Sequence, residues 1–180
     1  MGTLSGKTAL ITGASRGIGE AIVRLFAERG WSVIFTFVSN SAAAHKVATE
    51  AGARAIRCDS GDEDDILTLF DALDGEGIAL DALVNNAGGS PPRPALDTSD
   101  SMFARSFDFN VTTAFSLTRL AVPHMLAGDG GSVVNISSAA GRLAQPGFAA
   151  YGTAKAALSA LTRLLGQEFA PRVRVNAIRI

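Results

Sequence analysis

Tyr151 and Lys155 stand four residues apart in the stretch AAYGTAKAAL (149–158), and Tyr151 is the only tyrosine of the chain. On a helix, positions i and i+4 share a face, so a phenol and an ammonium are brought together. Phenols titrate at about pH 10, and a nearby cation favours the phenolate. At a separation of about 4 Å and an effective dielectric of about 20, the Coulomb attraction amounts to about 4 kcal/mol as an upper guide. An oxygen tuned in this way can give or take a proton near neutral pH. The spacing by itself also suits a tyrosine packed in the core and a lysine stretching to solvent.

A second stretch with chemical potential is ITGASRGIGEA (11–21), with Gly13, Gly17 and Gly19. It lies between a short apolar run, TALIT (8–12), and a helical pattern. Glycine lets a backbone turn tightly and approach a pyrophosphate, and the helix behind it offers free N–H groups and a partial positive charge. A plain strand-to-helix turn is the alternative reading, but the loop stands where a dinucleotide loop belongs, between a strand and a helix at the start of a βαβ unit. No Gly-Lys-Ser/Thr follows, which argues against a P-loop. The spacing is T-G-x-x-x-G-x-G, from Thr12 to Gly19.

Short apolar runs alternate with longer helical patterns along the whole chain. Strands are predicted at 8–12, 32–37, 53–58, 81–86, 131–137 and 173–178. Helices are predicted over about 17–29, 42–51, 62–73, 102–126 and 149–169, and Gly30 and Gly52 are placed to end the first two. In the first helix Ile18, Ala21, Ile22, Leu25 and Phe26 recur at helical spacing. Pro123 is expected to bend or loosen the long fourth helix. Near-continuous apolar strands alternating with helices imply a doubly wound parallel sheet with helices on both faces, an α/β/α sandwich of Rossmann type. No internal repeat and no linker divides residues 1–180, which read as one domain.

Composition narrows the function classes. Hydrophobic residues make up 47% and charged residues 18% of the chain, and the net charge is −1. That is a globular profile without the basic footprint of a nucleic-acid binder. Cys58 is the only cysteine, so no internal disulfide can form, and its surroundings in RAIRCDS read as a buried strand end. His45 and His124 lack metal-ligand spacing, and no metal site is expected. No apolar run approaches the roughly 20 residues of a spanning helix. MGTLSG offers Gly2 for myristoylation but has Gly6 where that motif wants Ser or Thr. A cytoplasmic protein is expected.

Together with NNAG (85–88), NISS (135–138) and Y-x-x-x-K (151–155), the T-G-x-x-x-G-I-G loop makes the chain resemble the short-chain dehydrogenase/reductase family, and among its members oxoacyl-carrier-protein reductases and hydroxysteroid dehydrogenases. The motifs fall in family order over nearly the whole chain. The resemblance implies a nicotinamide dinucleotide lying against Gly13, Ser15, Arg16, Gly17, Ile18, Gly19, Asp59, Asn86, Ala87 and Gly88. It implies hydride exchange between the cofactor and a carbonyl or alcohol substrate, with Tyr151 as the proton donor and acceptor. Lys155 would also bond the nicotinamide ribose, Ser138 would hold the substrate oxygen, with Ser137 as its neighbouring rival, and Asn110 would hold a water behind Lys155. An NAD enzyme usually carries an acid at the end of the second strand, to bond the ribose. Here that end reads TFVSN, with no acid, and Arg16 is placed to meet a 2′-phosphate. NADP(H) is therefore expected in preference to NAD(H).

Relatives continue past the position of Ile180 with a turn, a mobile loop, a helix and a last strand, so residues 1–180 are expected to lack the final helix and strand. Two functions remain open from the sequence: an NADP(H)-dependent alcohol/ketone oxidoreductase, or a catalytically poor dinucleotide-binding protein with a structural or regulatory role. A homodimer or homotetramer is expected, because the helices at 102–126 and 150–169 are apolar on more than one face.

Overall fold

The computed structural model describes residues 6–180; residues 1–5, Gly2 among them, lie outside the described residues. Six strands, β1 (Thr8–Ile11), β2 (Ser32–Phe37), β3 (Arg54–Arg57), β4 (Ala82–Asn85), β5 (Gly131–Ser137) and β6 (Val173–Arg179), form one sheet in the order β3-β2-β1-β4-β5-β6. Every neighbouring pair is parallel. The order reverses between β1 and β4, and in open sheets of this kind the crevice for a ligand opens there, at the carboxyl ends of the strands.

The helices are α1 (Gly17–Glu28), α2 (Ser41–Ala51), α3 (Glu63–Gly75), α4 (Asp100–Phe107), α5 (Thr113–Ala127) and α6 (Ala149–Glu168). Successive strand residues point to opposite faces, so the sheet feeds two cores. Leu10, Leu83 and Val133 pack with α3, α5 and α6, through Leu69, Leu117, Met125 and Leu165. Ile11, Phe35 and Val84 pack with α1 and α2, through Val23, Ala44 and Val47. Local signals start the helices: Asn40, Asp62 and Ser99 each accept a hydrogen bond from a backbone N–H in the first turn of α2, α3 and α4.

Two elements differ from the sequence reading. In α1 the buried residues are Gly19 and Val23, whereas Ile18 and Leu25 are 46% and 47% exposed. The helix approaches the sheet so closely at its first turn that a glycine faces inward there, and Ile18 is turned toward the ligand crevice. The long helix predicted at 102–126 is interrupted: α4 and α5 are joined by a π-helical turn, Asp108–Thr112. Pro123 sits inside α5, which continues through it to Ala127.

Polar pairs in the core fix the helices that carry the site. Asn85 and Asn135 are partners in the β4–β5 register, and Asn85 Nδ2 donates to Asn135 Oδ1 at 2.8 Å. Asn85 Nδ2 also reaches Thr118 Oγ1 of α5 at 3.2 Å, and Asn135 Nδ2 donates to Thr162 Oγ1 of α6 at 2.9 Å. Buried hydrogen-bonded groups of this kind tolerate little sliding, because a displaced partner leaves a desolvated donor or acceptor. They hold α5 and α6 against the centre of the sheet.

Candidate active site

The loop after β1 is held by a threonine hydroxyl and an asparagine amide. Thr12 Oγ1 accepts from the backbone N–H groups of Asn86 and Ala87 at 3.0 and 2.9 Å. Asn86 Nδ2 donates back to the carbonyls of Thr12 and Gly13 at 2.9 and 3.0 Å, and Gly13 N–H donates to Thr36 Oγ1 at 3.2 Å. The ends of β1, β2 and β4 are thus tied into one rim. Gly17 opens α1 with φ of 60°, a conformation that glycine adopts without strain. At Gly19 a Cβ would stand 2.7 Å from Ala14 Cα and 2.8 Å from Gly13 O, so only glycine lets the first turn of α1 press against the loop.

Along this rim runs a cavity of about 860 Å³. One end is bordered by Phe37, Asn40, Cys58 and Asp59, the middle by Gly13, Ser15, Arg16, Gly17, Ile18, Gly19, Asn86, Ala87 and Gly88, and the other end by Ser138, Tyr151 and Lys155. Among the described residues Asp59 is its one carboxylate; Asp59 Oδ1 accepts from Gly61 N–H at 2.9 Å. The Arg16 side chain caps no helix N–H. An elongated groove with a helix N-terminus at its middle, backbone closely packed beneath it and titratable groups at one end fits a dinucleotide, whose pyrophosphate belongs at the helix end.

At the other end Lys155 is 4% exposed. Its Nζ donates to Ile136 O at 2.8 Å and lies 5.7 Å from the centroid of the Tyr151 ring, on the same side of α6. Burial pushes its pKa down to about 8. One N–H bond is used in this way, and the other two find no acceptor among the described residues. Ser138 Oγ accepts from Ala140 N–H and donates to Ile180 O, both at 3.2 Å. Its neighbour Ser137 is turned inward, 3.1 Å from Lys155 O and 2.9 Å from Ser159 Oγ.

Asn110 lies in the π-helical turn and is buried. Its amide donates to Gly89 O and Ser106 O at 3.1 and 2.8 Å and accepts from Gly89 N–H at 2.9 Å. It does not line the groove. It stands behind Gly88, where a Cβ would come within 2.9 Å of Asn110 Oδ1 and 3.1 Å of Lys155 Nζ. The structure therefore brings Ser138, Tyr151 and Lys155 together on the groove and sets Asn110 behind them.

Sequence reasoning did not find Thr36, Phe109, or the rim-tying role of Thr12. A threonine ending an apolar run, with a hydroxyl to satisfy in a buried setting, was the available signal for Thr12. Nothing local marks Phe109, which with Tyr151 also lines a second cavity of about 390 Å³. Cys58 is buried, and desolvation together with the nearby acids pushes its thiol up to about 11, which leaves it unreactive at neutral pH. Among the described residues no cluster of His, Cys, Asp and Glu could hold a metal ion, and no helix is long and apolar enough to cross a membrane.

A profile of the family described as short chain dehydrogenase matches residues 7–180. An uncharacterized oxidoreductase of Mycobacterium tuberculosis is 47% identical over 181 residues, which cover 97% of this chain and 68% of the relative. The oxidoreductase UcpA of Salmonella typhimurium is 40% identical, over 99% of this chain and 70% of its own. Among solved structures, a 7α-hydroxysteroid dehydrogenase in complex with NADH and 7-oxo glycochenodeoxycholic acid superposes with a TM-score of 0.92 at 37% identity, over 98% of this chain and 71% of that one. A short-chain dehydrogenase/reductase from Serratia marcescens gives 0.92 at 32% identity, over 99% and 75%.

The state of Lys155 has a measurable consequence. Its pKa is about 8 in the folded chain, against 10.5 for an ordinary lysine. Between those values the unfolded chain binds more protons, so stability from this residue rises with pH across the window, and below it the buried charge costs about 3 kcal/mol. Lys155→Met is expected to raise the unfolding free energy at pH 7 by about 1–3 kcal/mol, after the lost bond to Ile136 is subtracted. Urea titrations at pH 7 and 10 check this: the gain shrinks at the higher pH, and an equal gain at both would refute the assignment.

Proposed function

The chain belongs to the short-chain dehydrogenase family, and from that premise we propose that it is an NADP(H)-dependent oxidoreductase interconverting a ketone or aldehyde with the corresponding alcohol. The observation that carries this reading is the position of Tyr151 and Lys155 on one helix face, at the end of a groove that begins on a glycine loop. When bound, the nicotinamide supplies or accepts the hydride. Tyr151 Oη gives a proton to the substrate oxygen during reduction and takes one during oxidation. Ser138, freed from Ile180 O, donates its hydroxyl to the same oxygen and holds it against Tyr151. The two unused N–H groups of Lys155 are available to ribose hydroxyls, and its ammonium stands 5.7 Å from the centroid of the phenol ring.

Arg16 supports the choice of NADP(H). It lines the groove, as do Ser39 and Asn40 after β2, and no acid ends that strand to bond a ribose or repel a phosphate. Asp59, at the same end of the groove as Asn40, is suited to the adenine. A self-associated form is also part of the reading. Phe103, Phe107 and Phe115 are 36–42% exposed on α4 and α5, an apolar surface that a second copy of the chain would cover.

Three outcomes are expected. Tyr151→Phe lowers carbonyl-dependent NADPH oxidation by about 100- to 10,000-fold while NADPH still quenches or shifts protein fluorescence; retained turnover would remove Tyr151 from its role. Arg16→Ala weakens NADPH binding about tenfold and NADH binding much less, and equal losses in titration calorimetry would argue against a phosphate contact. Light scattering gives at least twice the chain mass for the unaltered protein, and Phe103→Glu with Phe115→Glu returns it to the chain mass; a monomer from the outset would discard the helix-paired dimer.

A further inference from the structure

Resting on the oxidoreductase reading, we propose that the second cavity takes a substrate whose reacting carbonyl is attached, through an apolar body, to a carboxylate, and that Arg93 and Arg105 hold the carboxylate. The cavity, about 390 Å³, shares Tyr151 and Phe109 with the dinucleotide groove, so a molecule filling it touches the proposed proton donor. That volume lies in the range of small-molecule pockets, about 300–1,000 Å³.

Its lining sets the chemistry. Met102 and Phe109 offer apolar surface. Arg93 and Arg105 line it too, and no carboxylate does. Among the described residues neither guanidinium is within salt-bridge reach of an acid. Asp108, one helical turn beyond Arg105, has its carboxylate on Thr112 Oγ1 at 3.2 Å. Two guanidinium groups from different elements, unneutralised and bordering one cavity, favour a planar anion, which each can bond through two N–H groups. A further polar group is unspent: Ser106, 4% exposed, lines the cavity, and its hydroxyl finds no partner among the described residues. Buried hydroxyls are rarely left without partners. This one, turned about its Cα–Cβ bond, can satisfy itself on a ligand.

The test uses aryl ketones bearing a carboxylate on one to four methylenes, 4-oxo-4-phenylbutanoate among them, each paired with its primary amide. Binding to the NADP-loaded protein is measured by titration calorimetry, and turnover is followed separately. At least one acid is expected to bind about tenfold more tightly than its amide. In the Arg93→Gln/Arg105→Gln double variant that ratio falls to about one. Both arginines are exposed and make no side-chain bonds among the described residues, so the variant is expected to fold. Arg119→Gln removes the same charge from α5 at a position lining neither cavity, and is expected to leave the ratio unchanged. Acids and amides that bind alike, or a preference that survives the double variant or falls equally in Arg119→Gln, overturn the proposal. Acid-selective binding with no turnover of any ketone sustains the anion pocket and instead removes the reductase reading.

Discussion

A buried ammonium with one backbone acceptor is the constraint around which this fold is arranged. Lys155 is removed from water at a cost, and Ile136 O repays only part of it. To keep that side chain between β5 and Tyr151, α6 has to lie almost in contact with the turn that follows β5. A Cβ on Gly141 would come within 2.8 Å of Ala156 N, and one on Gly152 within 2.8 Å of Ala140 O. Gly152, next to Tyr151, and Gly141, in the turn it faces, are therefore steric requirements of that contact.

The same economy holds at the rim. Thr12, Asn86 and Thr36 spend their side chains on backbone groups of neighbouring strands, which leaves the groove lined largely by backbone and small residues. Deeper in, Asn85 and Asn135 connect the two central strands to α5 and α6. Rigidity at the groove thus comes from buried polar pairs in the sheet, and the groups facing the groove remain free for a ligand. Association of the groove with a dinucleotide is consistent with the family to which the chain belongs.

Much of this was legible in the sequence. Strand positions followed from compact apolar runs, and β2 and β5 coincide with their predicted spans. The groove residues could be named because the glycine loop, NNAG, NISS and Y-x-x-x-K are short local patterns. What escaped was set by distant contacts. The buried face of α1 is chosen by how near the loop lies: of the residues that hydrophobic spacing picked, Ile22 and Phe26 pack against the core, whereas Ile18 and Leu25 are exposed and Gly19 and Val23 are the ones fully covered. The second cavity is built from the segment after β4, from α4 and from the start of α6, and no single window of sequence contains it. Ser106 and Arg105 carry no local mark that separates them from any polar residue on a helix.

The π-helical turn at Asp108–Thr112 bears on how the two walls of the molecule relate. Such a turn accommodates one residue more than an α-helical turn, which rotates everything beyond it by about 100°. Before it Met102, Arg105 and Ser106, and within it Phe109, line the smaller cavity; after it, Ala114, Leu117, Ala121 and Met125 are buried, the last three against the sheet. The widened turn works as a phase shifter. It lets one nearly continuous helical stretch turn one face to the smaller cavity and, past the turn, another to the sheet.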